Sequence, residues 1–274
     1  MSSSNTEISK YFDRHQIIYT LFWSRTSLHC GFWFENTKNL AEAIINTDRF
    51  IAESLAIDPT DRVLDAGCGV GGTCIYIAET MGSQVEGITL SDVQLKIARK
   101  KASKSPAANM LNFSKQDFSQ TNFKDNSFSK VFGIESICYA HRKIDFLNEA
   151  HRIMVPGGKI VIVDLFLTKE ELSDQEMKIY KNTIEGCAVP NLSTKEDFQK
   201  SLEQAGFRAI VFHDMTEYIE RSSHKLYYRA LLTYPFEVLK SLLQIGRVNF
   251  TPIYQRALFD RKVAYYGAFV ATKL

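Results

Sequence analysis

The stretch "VLDAGCGVGGTCIYIAE", Val63 to Glu79, constrains this chain more than any other. An apolar run ends in Asp65, passes Gly67, Gly69, Gly71 and Gly72, and continues into a helical pattern. Glycine is unfavourable inside a strand or a helix. Gathered at a junction, it predicts a sharp strand-to-helix turn whose backbone lets a ligand approach. The helix N-terminus adds free N–H groups and partial positive charge. A phosphate loop would require GxxxxGK[ST], and the stretch holds no lysine. Asp65, two places before Gly67, would repel a pyrophosphate and suits a cationic ligand.

The rest of the chain supplies strands and helices in alternation. Arg62–Asp65, Ser83–Ser91, "NMLNFSKQDF", "FSKVFGIES" and "GGKIVIVDLF" read as five strands. Helical patterns separate them, among them Thr73–Met81 and "DVQLKIARKKA". This spacing predicts βαβ units and a parallel sheet. "STKEDFQKSLEQAGF" reads as a helix with Ser193 as its cap and Glu196 three residues on. "RAIVFHDM" and "VAYYGAFVATKL" complete a seven-stranded α/β sheet, and "MSSSNTE" reads as a loose tail. Residues 1–57 precede the sheet and are expected to form a lid. Residues 58–167 hold the ligand-binding core, and residues 168–274 the remaining strands. Residues 217–261 are expected as a helical cap inserted between strands six and seven, over the carboxyl edge where open α/β sheets bind ligands.

Composition narrows the function. With 274 residues, 45% hydrophobic, and a net charge of +2, the chain fits one elaborated soluble domain and offers no basic domain for nucleic acid. The basic run Arg99-Lys100-Lys101 follows a helix and reads as a solvated helix end. No run approaches the ~20 apolar residues of a membrane span, and no signal-peptide pattern opens the chain. Five cysteines without a CxxC pair disfavour both a disulfide framework and a zinc site, so a reducing cytoplasm is expected.

"VLDAGCGVGG" resembles the first motif of class I S-adenosylmethionine-dependent methyltransferases. "GITLSDVQ" is similar to the second motif of the sterol, tocopherol and cyclopropane-forming subgroup. "KQDF" resembles the strand-three motif, and "RIMVPGGKIVIVD" the turn before strand five. The resemblance implies a seven-stranded Rossmann-like fold with S-adenosyl-L-methionine as cofactor. Asp65 would then orient the methionine ammonium, Gly67, Gly69 and Gly71 would line the cofactor, and Asp117 and Phe118 would hold the adenine. Most class I enzymes end strand two in an acid. This chain has Thr89 there, with Glu86 three residues earlier, and the subgroup's pattern points to Thr89, Leu90 and Gln94.

The acceptor side departs further from the family. After strand four the related enzymes commonly read "ESxxHxPD"; here Glu135-Ser136 are kept, Tyr139 replaces the histidine, and His141-Arg142 replace Pro-Asp. Methyltransferases of isoprenoid diphosphates show a similar "ESxxY". The resemblance makes Glu135 a candidate base, or a support for cofactor and loop, and Tyr139 an acceptor contact. His141 reads as a surface residue. Asp164, ending strand five, is either a catalytic partner or a strand-end cap. The aromatic segment "YFDRHQIIYTLFWSRTSLHCGFWFE" resembles the subgroup's lid, which carries Tyr11 over as a cofactor contact and His29 as an acceptor contact. Tyr19 reads as packing. In the late insert, Tyr227, Tyr228 and several leucines suit a helix-on-helix core best, with an acceptor wall or a homo-oligomer contact as alternatives.

The expected function is methyl transfer to carbon or nitrogen of a small lipophilic metabolite such as a terpenoid, a quinol-like ring or an alkaloid. An RNA or protein methyltransferase is the competing enzyme reading. A protein that binds the cofactor without transferring methyl is a third.

Overall fold

The computed structural model describes residues 4–24, 26–242 and 251–274. Its sheet contains β1 (Arg62–Ala66), β2 (Gln84–Thr89), β3 (Leu111–Lys115), β4 (Phe128–Ile134), β5 (Met154–Leu167), β6 (Phe207–Asp214) and β7 (Ala264–Lys273). Their order is β3-β2-β1-β4-β5-β7-β6. The first five run parallel, and β7 inserts antiparallel between β5 and β6. The order changes direction between β1 and β4, which opens a crevice beyond their carboxyl ends.

Both faces of the sheet are covered, so Val63, Leu64 and Ala66 of β1 are all buried, and their side chains alternate between two cores. Val63 joins one core with Ile51 and Leu55 of α2 (Leu40–Leu55) and Ile77 of α3 (Gly72–Met81). Leu95 of α4 (Asp92–Ala102) joins the same core. Leu64 joins the other with Phe146 of α5 (Lys143–Ile153) and Phe198 of α7 (Lys195–Gln204). Each such large side chain, once fully buried, contributes about 1.5–3 kcal/mol.

Several boundaries differ from the sequence expectation. α1 (Asn5–Phe22) begins inside the expected tail, because Ser4 and Glu7 form a reciprocal capping box. Thr194, not Ser193, caps α7 by accepting from the N–H of Asp197. Of residues 1–57, α1 and the strap after it lie over the crevice. α2 is a core-layer helix, since its Ile51, Ala52 and Leu55 are buried in the main core.

The insert between β6 and β7 is helical as expected, with α8 (Glu220–Leu242) and α9 (Thr251–Asp260). Expected residues 243–250 of that cap lie outside the described residues. α8 buries Ala230 and packs Leu226 on the core but turns Tyr228 (61% exposed) and Leu232 (77%) outward, so these two do not form the expected helix-on-helix core. α6 (Asp174–Gly186) and α9 share a third apolar cluster with Cys138 and Tyr139. Among the described residues no helix is long and apolar enough to cross a membrane.

Candidate active site

The crevice between β1 and β4 holds the glycine turn. Gly67 and Gly71 have φ of +120° and +81°, backbone that side-chain-bearing residues rarely adopt. A Cβ on Gly67 would collide with Ser136. The Ser136 hydroxyl donates to the carbonyl of Ala66 at 2.7 Å and so ties the two strand ends together. Gly71 caps α3 without a side chain, so the first N–H groups of α3 face the turn with no capping acceptor.

At the end of β2, Thr89 Oγ1 donates to Gln94 Oε1 at 2.9 Å and accepts from the N–H of Ser91 at 3.2 Å. Glu86 does not replace the missing acid. It accepts from Asn112 Nδ2 at 2.8 Å on the neighbouring strand and does not line the crevice.

α1 is fastened across this end of the sheet. Ser9 Oγ donates to the carbonyl of Leu90 at 3.0 Å, and Gln94 Nε2 donates to Gln16 Oε1 at 3.3 Å. Asp13 accepts from the Ser91 hydroxyl and from the N–H of Val93, at the N-terminus of α4 where a carboxylate is favoured. Asn5 Nδ2 donates to Asp117 Oδ2 at 2.6 Å. Ile8 and Phe12, one turn apart on α1, complete the pocket roof.

Glu135 sits where β4 turns away, in the left-handed region at φ +49°. Such backbone in a non-glycine residue is strained and gathers at functional sites. Glu135 Oε1 accepts from the N–H of Cys30 at 2.7 Å and from the hydroxyl of Tyr266 on β7 at 2.6 Å. Burial, then the adjacent Glu135, holds the Tyr266 phenol well above its ordinary pKa, so it stays a donor. Tyr139 packs edge-on against Phe12 at 5.2 Å and donates to the carbonyl of Cys187 at 3.2 Å. Burial pushes the Tyr139 phenol well up, and the Cys187 thiol to about 12.

Gly67, Thr89, Leu90, Gln94, Phe118, Glu135 and Tyr139 therefore share one pocket. Other expected residues lie off it. Asp117 lines an adjoining groove, where its Oδ1 accepts from the N–H of Ser119 at 2.8 Å. Tyr11 is directed to Tyr19, with hydroxyls 3.1 Å apart, rather than into the pocket. Gly69 and Gly71 shape the turn without lining it.

His29, expected at the acceptor, lies in a buried cluster behind the turn. Its Nδ1 is 2.9 Å from the carbonyl of Cys30, and its Nε2 is 3.4 Å from Asp48 Oδ1, which also accepts from Thr73 at 2.7 Å. Burial alone would lower its pKa; the Asp48 carboxylate outweighs this and raises it. Asp164, read as either a catalytic partner or a strand-end cap, is 2% exposed and holds backbone, as a cap does. It accepts from the N–H groups of Cys138 at 2.7 Å and Leu165 at 2.9 Å. Burial still pushes its carboxyl up to about 6.

Asp65 is 4% exposed, and the hydrogen bond its carboxylate accepts comes from a thiol, Cys74, at 3.2 Å. Burial pushes it up to about 7. A buried carboxylate with so weak a donor, beside a turn that admits no Cβ at Gly67, fits the amino-acid end of the cofactor that the motifs imply.

Sequence reasoning missed Ile8, Phe12, Asp13 and Tyr266. Ile8 and Phe12 stand four apart in α1, a helical spacing within reach of the sequence, and Asp13 follows directly. No local pattern connects Tyr266 with Glu135, because the contact depends on β7 lying beside β5.

Residues 1–231 match the model of the mycolic acid cyclopropane synthetase family. Sterol 24-C-methyltransferase ERG6 of Saccharomyces cerevisiae is 27% identical over 215 residues, covering 78% of this chain and 56% of that protein. The chain thus spans little more than half the length of that relative. O-methyltransferase cnsE of Penicillium expansum is 30% identical over 224 residues, covering 81% and 79% respectively. Geranyl diphosphate methyltransferase, solved with GPP and sinefungin, has a TM-score of 0.79 at 16% identity, covering 98% of this chain and 99% of that one. At that identity the likeness is one of fold.

Proposed function

This chain belongs to the mycolic acid cyclopropane synthetase family, and from that premise we propose that it transfers a methyl group from S-adenosylmethionine to a small lipophilic metabolite. One observation carries the reading. Glu135, gripped by Cys30 and Tyr266, shares one pocket with Gly67 of the glycine turn and with Phe12 and Tyr139. This grouping supports a proton acceptor within reach of both cofactor and acceptor.

When bound, the cofactor supplies an electrophilic methyl on a sulfonium centre. Asp65 would hold its ammonium, the Gly67 turn would let it approach the backbone, and Thr89, Leu90 and Gln94 would hold its ribose. Phe118 takes the adenine face. α1 covers the pocket with Ile8 and Phe12, which would shield the reaction from water and help to position the acceptor. For attack by an alkene carbon, the faces of Tyr139 and Phe12 stabilise the developing cation and Glu135 accepts the proton that leaves. For an amine, Glu135 takes the N–H proton. Tyr266 orients the carboxylate in both cases.

The acceptor class follows from the apolar lining, with a terpenoid, quinol-like ring or alkaloid methylated on carbon or nitrogen. The sterol relative's name supports carbon, and the Penicillium relative's name makes oxygen the alternative to test. A net charge of +2 supports a small molecule over nucleic acid, and five free cysteines support the cytoplasm.

The test incubates pure protein with methyl-labelled S-adenosylmethionine and an extract of its source cells. The products are then separated into organic, aqueous small-molecule, RNA and protein fractions. Label in either small-molecule fraction supports the reading and yields the product for mass spectrometry. Label in RNA or protein overturns the acceptor class. Cofactor binding without label in any fraction favours a binding protein that transfers no methyl.

A further inference from the structure

We propose that Lys143 is a positioning residue that sets the acceptor wall of the site by clamping the Tyr139 turn to the loop after α6. Its effect on catalysis rests on the methyl-transfer reading above; the clamp itself does not.

Lys143 is 7% exposed and is the first residue of α5. Both facts run against its charge, because a cation is disfavoured at a helix N-terminus and a buried ammonium is costly unless its protons are satisfied. Among the described residues no carboxylate lies within ion-pairing distance of it. Instead its Nζ donates to three backbone carbonyls, Cys138 at 2.8 Å, Ala140 at 2.6 Å and Asn191 at 3.0 Å. An ammonium has three N–H donors, and all three are matched. Burial brings its pKa down to about 8, which keeps it charged at neutral pH.

The carbonyls it takes decide its role. Cys138 lies in the turn of 3₁₀ helix (Ile137–Tyr139) that presents Tyr139, and Ala140 caps its C-terminal end, where carbonyls lack partners within the turn. Asp164 accepts from the N–H of Cys138, so the peptide groups around this residue are held from two sides. The third carbonyl, Asn191, lies on the separate loop between α6 and α7. Two further bonds join the same two segments. Asn191 Nδ2 donates to the carbonyl of His141 at 3.0 Å, and Tyr139 donates to Cys187. Of these ties only Lys143 is charged, and it is the only one that grips the turn twice. Its removal releases the turn and the loop together, and with them the ring of Tyr139 that lines the pocket.

The experiment compares wild type with Lys143→Met, which keeps the apolar stem, and Lys143→Gln, which keeps two N–H donors. Amide hydrogen exchange read by mass spectrometry follows peptides covering 136–142, 187–192 and, as control, 62–81. The expected result for Lys143→Met is exchange about tenfold faster in the first two segments, given the strength of charged hydrogen bonds. The control should be unchanged, and affinity for S-adenosylhomocysteine should stay within about twofold by calorimetry. Lys143→Gln should be intermediate and serves in place of Lys143→Met if that variant does not fold. With the acceptor that the labelled-transfer assay identifies, KM should rise about tenfold and kcat should fall less.

Unchanged exchange in either segment overturns the clamp. Equal loosening of 62–81 overturns it too, since Lys143 would then act on the whole fold. Faster exchange with KM unchanged overturns the acceptor role. If wild type transfers no methyl to any fraction, the functional reading fails on its own, and the exchange data still decide the clamp.

Discussion

Protonation of Asp65 reports directly on whether a cation docks behind the glycine turn. The carboxyl is buried and pushed up from 3.8 to about 7; burial is the main cause, and the Cys74 thiol and nearby His29 only partly offset it. An ammonium arriving beside it favours the anion. Returning about three pKa units corresponds to about 4 kcal/mol of coupling between ligand and ionised carboxylate. At pH 6 a group titrating near 7 is about nine-tenths protonated. Binding of S-adenosylhomocysteine should therefore release about 0.9 proton at pH 6 and about 0.1 at pH 8, with affinity roughly a hundredfold weaker at pH 5 than at pH 8. Isothermal calorimetry in two buffers of different ionisation enthalpy measures the release. Asp65→Asn should abolish it, whereas His29→Gln should leave most of it. The sign for the ligand-free protein follows from the raised value. Asp65 favours the fold while protonated, and that contribution is lost as pH rises from about 4 through about 7. Release below about 0.2 proton at pH 6, or undiminished release in Asp65→Asn, refutes the reasoning.

Four other outcomes are expected. Glu135→Gln should retain S-adenosylhomocysteine binding and lower kcat by about 10²–10⁴; a matching loss of cofactor affinity with kcat intact would make the residue a support, not a base. Tyr266→Phe should lower kcat by about tenfold through the freed carboxylate and cost about 1–3 kcal/mol of stability, because it removes a buried hydrogen bond to Glu135; an unchanged kcat would contradict the orienting role. Asp164→Asn should cost about 1–3 kcal/mol of stability, read from chemical denaturation, because it weakens the hold on the N–H groups of Cys138 and Leu165. A large kcat loss at unchanged stability would return Asp164 to catalysis. Asp13→Ala should unlatch α1, raising hydrogen exchange across residues 5–16 and quickening cofactor release, and it is contradicted if neither rate moves.

The parts of the site that were legible in the sequence are those whose chemistry is local. The glycine turn was legible from its residue types, while Thr89 with Gln94 and Glu135 with Tyr139 were legible through the resemblance; each falls within a few residues of a strand end. Asp164 was ambiguous because its partner, the N–H of Cys138, lies 26 residues away across the sheet edge. His29 carried a family pattern, yet the Asp48 that claims it sits on α2, a helix that the sequence left with the lid. Its burial stripe of Ile44, Ile51 and Leu55 has helical spacing, but spacing does not say which layer the stripe faces. Lys143 gave no signal at all, since backbone carbonyls that accept from a side chain leave no trace in sequence.

The antiparallel insertion of β7 has a consequence for how the molecule is assembled. Among the described residues β6 has β7 as its sole neighbour in the sheet, so it cannot join the sheet before β7 arrives. The two must dock as one hairpin whose connection is residues 215–263, including α8 and α9. Closing so long a connection is entropically slow, and contacts distant in sequence slow folding further. Tyr266 rides on the arriving strand and reaches Glu135 across 131 residues of chain. Glu135 therefore gains its hydrogen bond from Tyr266 only once β7 has docked, whereas the glycine turn, tied between β1 and β4 by Ser136, does not depend on that strand.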